Sequence, residues 1–396
     1  MENESELNII KCKMNNDNSI LTTILEKDLK FFEIKTFKEI EGLLEKNYGH
    51  IKSAFPLHRS NIIIILGTKL NPRFKENNIH LWDMEKKESI GSINIKIDSF
   101  QPDDIIFDIF LANTYLFLIS RYRIYMFDLM TLEHEFTFED VWGIEGGVSI
   151  SYSERKIILA YISNNNHSIV KINKIRISKN KLEYSQRFLA TNLVGIQYVK
   201  VSSKYKFLAV ADSIGEKVNI YSLRSYKIKR SLWLGYNNKV KICSIFFDTD
   251  NNYIGVYSKQ NILQIYPISE LNFKRRINPI VRKSIRQNMH NNNNRNEVNN
   301  TENDEDEEQK DAVRDKKKIK FNFKAIKKKS ANKFLEYFAI YKDDKILFRD
   351  IVLSFFNEKK DVVIIDKEGN VFVIKFNKKN GGQCWLIDNK KLSCAY

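Results

Sequence analysis

The sequence is poor in the residues that interrupt or cross-link a chain. It has only 14 glycines, 5 prolines and 4 cysteines in 396 residues. The cysteines form no Cys-x-x-Cys pair, so neither a disulfide framework nor a zinc site is indicated. We therefore expect an intracellular protein without a bound metal or other cofactor. The cysteines are Cys12, Cys243, Cys384 and Cys394.

Long hydrophobic runs are also absent. Residues 62–66 form an apolar run of only five, and the apolar stretch 105–119 is interrupted by Asp108 and Asn113. These runs are too short to cross a bilayer. The N-terminal residues are polar and acidic rather than basic and then apolar, so no secretory signal is indicated. Any membrane contact is expected to be peripheral.

Motifs of enzymes are scarce. The glycines form neither a Gly-x-x-x-x-Gly-Lys loop nor a Gly-x-Gly-x-x-Gly turn. The six histidines are dispersed, without a His-Glu-x-x-His pattern or a neighbouring cysteine. Asp83 and Asp128, which follow aromatic residues, are typical of turns rather than of paired catalytic carboxylates. We expect no catalytic residues.

What the sequence does contain is β-strand material at a regular interval. Most apolar segments alternate and are rich in Ile, Val, Tyr and Phe. One such segment recurs every 45 to 50 residues once the foreign stretch 271–332 is set aside. The landmark residues of its seven copies are Phe32, Trp82, Phe127, Ile172, Tyr221, Tyr266 and Phe376.

Seven units of about 48 residues, each with room for four strands, predict an all-β fold, a seven-bladed β-propeller. A large β-sandwich or two β domains is the alternative, which alternation alone does not exclude. If the fold is a propeller, residues 1–270 form blades one to five and part of blade six. Residues 271–332 are a long insertion in blade six, and residues 333–396 complete blade six and form blade seven.

The insertion differs in composition from the repeats. It holds 17 Lys or Arg and 9 Asp or Glu, and thus half of the net charge of +16. A basic start is followed by an asparagine run, an acidic block and a lysine-rich end. Such a segment cannot bury enough apolar surface to fold alone, which predicts a disordered loop.

The lysine-rich end interleaves apolar residues among its charges, a pattern that suits an anionic membrane surface. A solvated low-complexity insert is the alternative. Nucleic acid is not expected as a partner, because the acidic block would compete and no aromatic stacking platform is visible. The candidate membrane-contact residues are Lys316, Lys317, Lys318, Ile319, Lys320, Phe321, Phe323, Ile326, Lys327, Lys328 and Lys329.

Several segments together carry a family resemblance. They are the apolar run 62–67 that ends in glycine, the loop 71–74, the strand-like segment 78–83 and the segment 121–132. In this order they resemble the PROPPIN family, whose long loop in blade six matches the position of the insertion. The resemblance implies a seven-bladed propeller that binds phosphatidylinositol 3-phosphate or 3,5-bisphosphate in autophagy and endosomal traffic.

The chain departs from the family at its Phe-Arg-Arg-Gly signature, in which each arginine serves one of two phosphoinositide pockets. Both arginines are absent here, so the charge-assisted phosphate contacts of two guanidinium groups are lost. Two further family features also change: a small polar stretch becomes residues 209–212, and a histidine becomes Gln264. The signature positions read Leu232, Trp233, Leu234 and Gly235.

Two hypotheses follow from this departure. In the first, weakened lipid binding survives through basic residues around the lost signature, assisted by the insertion. In the second, the chain is a protein-interaction propeller that has lost phosphoinositide binding. For each of these basic residues, a solvated strand edge is the ordinary alternative. The candidate lipid-binding residues are Lys227, Lys229, Arg230, Gly235, Lys239 and Lys241.

A second candidate surface is the loop that contains Asn71, Pro72 and Arg73. It matches the family loop at the edge that contacts an autophagy lipid-transfer protein. A stiff Pro-Arg tip presents one guanidinium group at low entropic cost, although an ordinary hairpin loop would look the same. The resemblance thus predicts a monomeric cytoplasmic scaffold, peripheral on endosomal, autophagic or vacuolar membranes.

Overall fold

The structure is a computed structural model. It describes residues 7–15, 17–40, 49–57, 60–76, 78–94, 105–178, 181–234, 241–259, 262–268, 339–341, 351–378 and 382–392. The predicted disordered insertion at 271–332 lies outside the described residues, and so do its candidate membrane-contact residues at 316–329.

The described residues form 28 strands in seven sheets, numbered here as blades in chain order. Blade one contains β1 (Ile9–Met14), β2 (Ile20–Leu25) and β3 (Leu29–Glu33). Blade two contains β4 (Ile51–Pro56), β5 (Ile62–Gly67), β6 (Asn78–Asp83) and β7 (Glu88–Asn94). Blade three contains β8 (Ile106–Ala112), β9 (Tyr115–Ser120), β10 (Ile124–Asp128) and β11 (His134–Phe138). Blades four and five contain β12 (Val148–Ser153), β13 (Lys156–Ile162), β14 (Ile169–Ser178), β15 (Lys181–Ala190); and β16 (Ile196–Val201), β17 (Phe207–Asp212), β18 (Lys217–Ser222), β19 (Ile228–Trp233). Blade six contains β20 (Ile242–Phe247), β21 (Tyr253–Ser258), β22 (Ile262–Pro267), β23 (Ala339–Tyr341) and, from later in the chain, β27 (Gly382–Gln383). Blade seven contains β24 (Ile351–Phe356), β25 (Val362–Asp366), β26 (Asn370–Lys375) and β28 (Trp385–Lys391).

The recurring segment occupies the same place in every blade. Its seven copies form the third strand of their sheets, namely β3, β6, β10, β14, β18, β22 and β26. The second strands are buried almost throughout, as in β9 and β25, because both of their faces meet neighbouring blades. The outer strands are more exposed, as in β19, where four of the six residues are exposed and only Leu232 is buried.

The blades close into a ring. The innermost strands β1, β4, β8, β12, β16, β20 and β24 contact one another in this order, and β24 contacts β1. Seven apolar clusters fill the seven spaces between adjacent blades. At the closure, the Ile9 amide donates to the Lys367 carbonyl at 2.8 Å. The seven-bladed propeller is confirmed, and the sandwich alternative is wrong.

Blade one differs from the expected four strands. Only three strands of its sheet lie within the described residues, and a short stretch takes the place of the fourth. There the Ile40 amide donates to the Phe31 carbonyl at 2.8 Å, and Phe32 and Glu39 form an isolated bridge. Among the described residues, the pairing with β3 on this side is therefore limited to one bridge and its neighbouring hydrogen bond.

The two acids expected to form turns do so. The Asp83 carboxylate accepts hydrogen bonds from the amides of Glu85 and Lys86 at 3.0 and 3.1 Å. Asp128 likewise accepts from the Met130 amide at 2.7 Å. Within the described part of the chain, no helix is long and apolar enough to span a bilayer.

Candidate functional site on blades five and six

The outer strand of blade five separates two faces. Leu232 is 2% exposed in the apolar cluster between blades five and six. Arg230, two residues earlier, points the same way, because its guanidinium group donates to the Pro267 carbonyl of blade six. Ser231 and Trp233 take the opposite face, where the Ser231 hydroxyl donates to the buried Asn219 side chain at 2.8 Å.

The first lost arginine position is held by Trp233. Trp233 is 42% exposed, and the Lys217 ammonium group lies 5.0 Å from the centre of its indole ring. Lys217 is the register partner of Trp233 on β18. A cation over an indole face is a favourable contact, so this face presents an amphipathic lysine-tryptophan pair in place of a phosphate-binding guanidinium.

The second lost arginine position is held by Leu234, which packs against the apolar cluster between blades five and six. Its carbonyl accepts a hydrogen bond from the Gln264 side-chain amide at 3.2 Å. The Tyr266 hydroxyl in turn lies 3.2 Å from the Gln264 carbonyl oxygen. Burial raises the pKa of Tyr266, so it stays a neutral donor. Gln264, which stands at the family's histidine position, is therefore hydrogen-bonded to the backbone of Leu234, which stands at the second arginine position.

The former small polar stretch is likewise part of the core. Ala209 and Ala211 are fully buried between blades five and six. Asp212 turns back to accept the amides of Gly215 and Glu216 at 2.7 and 2.9 Å, which fixes the hairpin between β17 and β18. These residues stabilise the fold and present no phosphate-binding group.

The basic candidates for lipid binding that the structure describes lie at different places on blades five and six. Lys227 lies in the hairpin between β18 and β19, with its carbonyl accepting the Ser222 amide at 3.0 Å. Lys229 is exposed on β19, at the opposite end of the blade from Lys241, which lies just before the innermost strand β20 of blade six. Gly235 and Lys239 lie outside the described residues. The lipid-binding role of these residues stays a prediction.

The loop of blade two is built around a buried asparagine. The Asn71 side chain accepts the amides of Arg73 and Phe74, each at 2.9 Å, and donates to the His50 carbonyl at 3.1 Å. Pro72 and Arg73 are exposed, and the Arg73 guanidinium carbon lies 4.2 Å from the centre of the Trp82 ring. Asn71 thus acts within the loop, while the two following residues form its surface.

Sequence reasoning missed Lys217, because its importance depends on the register that places it opposite Trp233. It also missed three basic residues on blade four, Lys156, Lys174 and Arg176, which line one groove. Their two-residue spacing on β14 was visible, but the pairing of β13 with β14 was not. Among the described residues, no group of three or more His, Cys, Asp or Glu side chains could hold a metal ion.

Comparison with known structures identifies the architecture. Kluyveromyces lactis Hsv2 is similar over 98% of this chain and 100% of its own, with a TM-score of 0.67 and 13% identity. KlAtg21, solved in complex with the coiled coil of AgAtg16, is similar over 97% of this chain and 99% of its own, with a TM-score of 0.60 and 12% identity. Both are PROPPIN structures with seven blades. The chain has the PROPPIN fold.

The sequence relatives agree with this PROPPIN resemblance, which is thereby confirmed. SVP1-like protein 2 of Debaryomyces hansenii is 22% identical over 304 residues, which cover 67% of each chain. SVP1-like protein 2 of Pichia angusta is 21% identical over 215 residues, or 54% of this chain and 57% of the relative. No family model matches the chain.

Proposed function

We propose that this protein is a non-catalytic scaffold of the PROPPIN type that binds protein partners in autophagy or endosomal traffic without the family's two-pocket lipid recognition. The observation that carries the proposal is the fate of the two arginine positions. Trp233 pairs with Lys217, and the partly buried Leu234 packs against the apolar cluster between blades five and six. Neither side chain carries a positive charge or the planar fork of a guanidinium group, so neither can replace the bidentate arginine contact with phosphate.

The surroundings of Leu234 support the same conclusion. Gln264 and Tyr266 are hydrogen-bonded to each other and to the backbone of the signature positions. A phosphate entering here would have to break these bonds and would meet apolar groups, at the cost of desolvating its charge. These surroundings stabilise the packing of blades five and six and disfavour the binding of an anionic ligand.

Protein binding is supported by the relatives and by the blade-two loop. KlAtg21 forms a complex with a coiled coil, so a propeller of this fold can serve as a partner for a helical segment. In the present chain, Leu70 is 73% exposed beside Pro72 and Arg73. The loop therefore offers a protein partner one apolar contact, through Leu70, and one cationic contact, through Arg73.

A second candidate function is membrane binding without recognition of a particular headgroup. It is favoured by the exposed Trp233 beside Lys217, since indole rings settle at the bilayer interface while ammonium groups reach the headgroups. The lysines of the insertion would add to this attraction. Binding of this kind responds to total surface charge rather than to the position of a phosphate on inositol.

The experiment is flotation of the purified chain with liposomes that contain phosphatidylinositol, its 3-phosphate or its 3,5-bisphosphate, matched for total charge with phosphatidylserine. It is repeated with residues 271–332 replaced by a Gly-Ser linker. We expect no headgroup preference, and any flotation should fall as salt rises and as the insertion is removed.

Trp233→Ala with Lys217→Gln tests the second candidate, and Lys204→Gln serves as a control on an exposed lysine elsewhere. Loss of flotation in the double variant alone would assign charge-based membrane contact to this face. Flotation with one phosphoinositide at several times the level of the others would contradict the proposed loss of lipid recognition.

A further inference from the structure

An open groove lies on blade four, on the side that faces blade five. It has a volume of 260 Å³. Its position follows from the alternation along β13 and β14: Ile158 and Ile172, on the same face as the groove's lysines, belong to the apolar cluster between blades four and five. The groove therefore continues the inter-blade core outward to the surface. Its lining residues are Lys156, Lys174, Arg176, Glu183, Tyr184 and Ser185.

Like charges face each other in this groove. Lys156 on β13 is the direct register partner of Arg176 on β14, and Lys174 lies two residues before Arg176 on the same face. Like charges opposite each other on paired strands destabilise a sheet. Burial, followed by the charges of Lys174 and Arg176, lowers the pKa of Lys156. The fold therefore holds three cations together against their mutual repulsion.

The protein neutralises little of this charge. Glu183 lies 3.9 Å from the Arg176 guanidinium, and both side chains are mostly exposed, so the pair contributes little. Lys174 donates to the Leu223 carbonyl at 3.3 Å, and Lys156 has the Tyr205 ring at 5.6 Å. Within the described part of the chain, no carboxylate lies within 4.0 Å of either ammonium group.

Aromatic rings of blade five hold the two lysines in place. The Lys174 ammonium lies 4.8 Å from the centre of the Tyr226 ring, which packs against the inter-blade core together with Tyr205. A cation–π contact attracts an ammonium group to the face of the ring and restricts its rotamers. The cost of ordering both lysines is therefore largely met before a ligand arrives, which favours binding.

We propose that this groove binds a phosphate monoester. Three cations and one carboxylate leave an excess of two positive charges, which matches the charge of about −1.5 to −2 on a phosphate monoester at neutral pH. Arg176 supplies a planar fork that can donate two hydrogen bonds to phosphate oxygens, and the lysines supply point charges. A carboxylate ligand would neutralise only half of the excess.

The groove is separate from the family's signature position. Lys174 reaches Leu223 and Tyr226, which follow the end of β18, whereas Trp233 pairs with Lys217 at its beginning. β18 spans six residues, so its two ends lie roughly 17 Å apart. The inference is therefore independent of whether the signature position binds lipid.

The test measures binding of inorganic phosphate and of soluble inositol 1,3-bisphosphate to the full chain by calorimetry. It compares the wild type with Lys156→Gln and Lys174→Gln combined. The matched control is Lys204→Gln with Lys360→Gln, which removes the same charge from two lysines that pair with Asp250 on the surface. We expect at least a tenfold loss of affinity in the groove variant and less than a twofold change in the control.

A thermal melt in phosphate-free buffer separates binding from folding. Removing Lys156, which opposes Arg176, together with Lys174 relieves repulsion among the three cations, so the groove variant should melt at an unchanged or higher temperature. Phosphate should raise the melting temperature of the wild type but not that of the groove variant. Equal binding by both double variants, or no binding by the wild type, would overturn the proposal.

A vesicle arm distinguishes the sources of the phosphate. Vesicles that contain phosphatidylinositol 3-phosphate are compared with vesicles of equal charge that contain only phosphatidylserine. Binding of the soluble headgroup without selective vesicle binding indicates a soluble ligand. Selective vesicle binding that is lost in the groove variant indicates a lipid headgroup held at the groove, whereas selective binding that survives in this variant would place lipid recognition elsewhere and exclude the lipid as the groove's ligand.

Discussion

Gly67 ends β5 at a point where the returning loop passes directly against the strand. A Cβ atom at this position would lie 1.6 Å from the backbone oxygen of Phe74. Phe74 has little freedom to move, because it is 1% exposed and its ring packs edge-on against Trp82 at 5.5 Å. Its amide is also held by the Asn71 side chain. The position requires glycine for space.

Gly67→Ala should destabilise the protein by about 3 kcal/mol or more, because the loop backbone has to be displaced. The measurement is the midpoint of urea unfolding. Gly91→Ala is the matched control, since its Cβ would meet only Leu132, at 3.6 Å. A change within about 1 kcal/mol is expected there. Similar midpoints for the two variants would show that the loop yields easily.

At the scale of elements, the loop between β5 and β6 combines a fixed interior with an exposed tip. Asn71 provides the interior hydrogen bonds, and Phe74 anchors the return to β6. Arg73 is held over Trp82 by a cation–π contact, so its guanidinium occupies a defined position while remaining exposed. A loop ordered in this way loses little entropy when a partner binds.

Pro72→Ala combined with Arg73→Ala should reduce capture of this protein by an immobilised autophagy lipid-transfer protein at least fivefold. The reason is loss of both the stiff turn and the cationic anchor. Met130→Ala is the control, because Met130 is 80% exposed on a different hairpin. Thermal melting checks that both variants fold. Undiminished capture of the double variant would reject this loop as the partner surface.

At the scale of the whole molecule, three blades meet in an ionic cluster beside the ring axis. Lys13 of β1 forms an ion pair with Asp108 of β8, and Lys11 lies 2.8 Å from the same carboxylate. The Ser53 hydroxyl of β4 donates to it at 2.8 Å. Burial lowers the pKa of Lys13 to about 8, against the opposing effect of Asp108. Burial alone would raise the pKa of Asp108, but Lys13 and Lys11 outweigh it and hold the pKa below its ordinary value.

Asp108→Asn should destabilise the ring by about 3 kcal/mol at pH 7, because it leaves a largely buried ammonium group without its counter-ion. The folded-state pKa of Asp108 is depressed, so its contribution is present above the unfolded pKa of about 4 and is lost as the pH falls below it. The stability difference between wild type and variant should therefore shrink under acid. Urea unfolding between pH 3 and 7 measures it.

Asp250→Asn is the control for this prediction. Asp250 also pairs with two lysines, Lys204 and Lys360, but it does so on the surface, where water screens the charges. Little change in stability is expected. Equal effects of the two substitutions, or a stability difference that persists unchanged at pH 3, would contradict a buried ionic role for Asp108.

The sequence predicted the repeated elements better than the contacts between them. The alternating segments that end near Trp82, Phe127 and Tyr266 form the third strands of their blades. They were predictable because a strand that is buried on both faces needs apolar residues close together in the sequence. The loss of the two signature arginines was also visible directly. The hydrogen bonds of Gln264 and Tyr266 beside the replaced positions were not visible, since they depend on how blade six packs against blade five.

The amino-acid sequence by itself determined the number and order of the blades and the absence of the phosphate-binding arginines, because both are properties of local pattern and residue type. Only the tertiary structure decided which charges meet. Lys13 and Asp108 are 95 residues apart in the chain, and Lys156 meets Arg176 only through the register of β13 and β14. Electrostatic interactions fall off with distance in space, so they become specific only after the strands have paired and the blades have packed together.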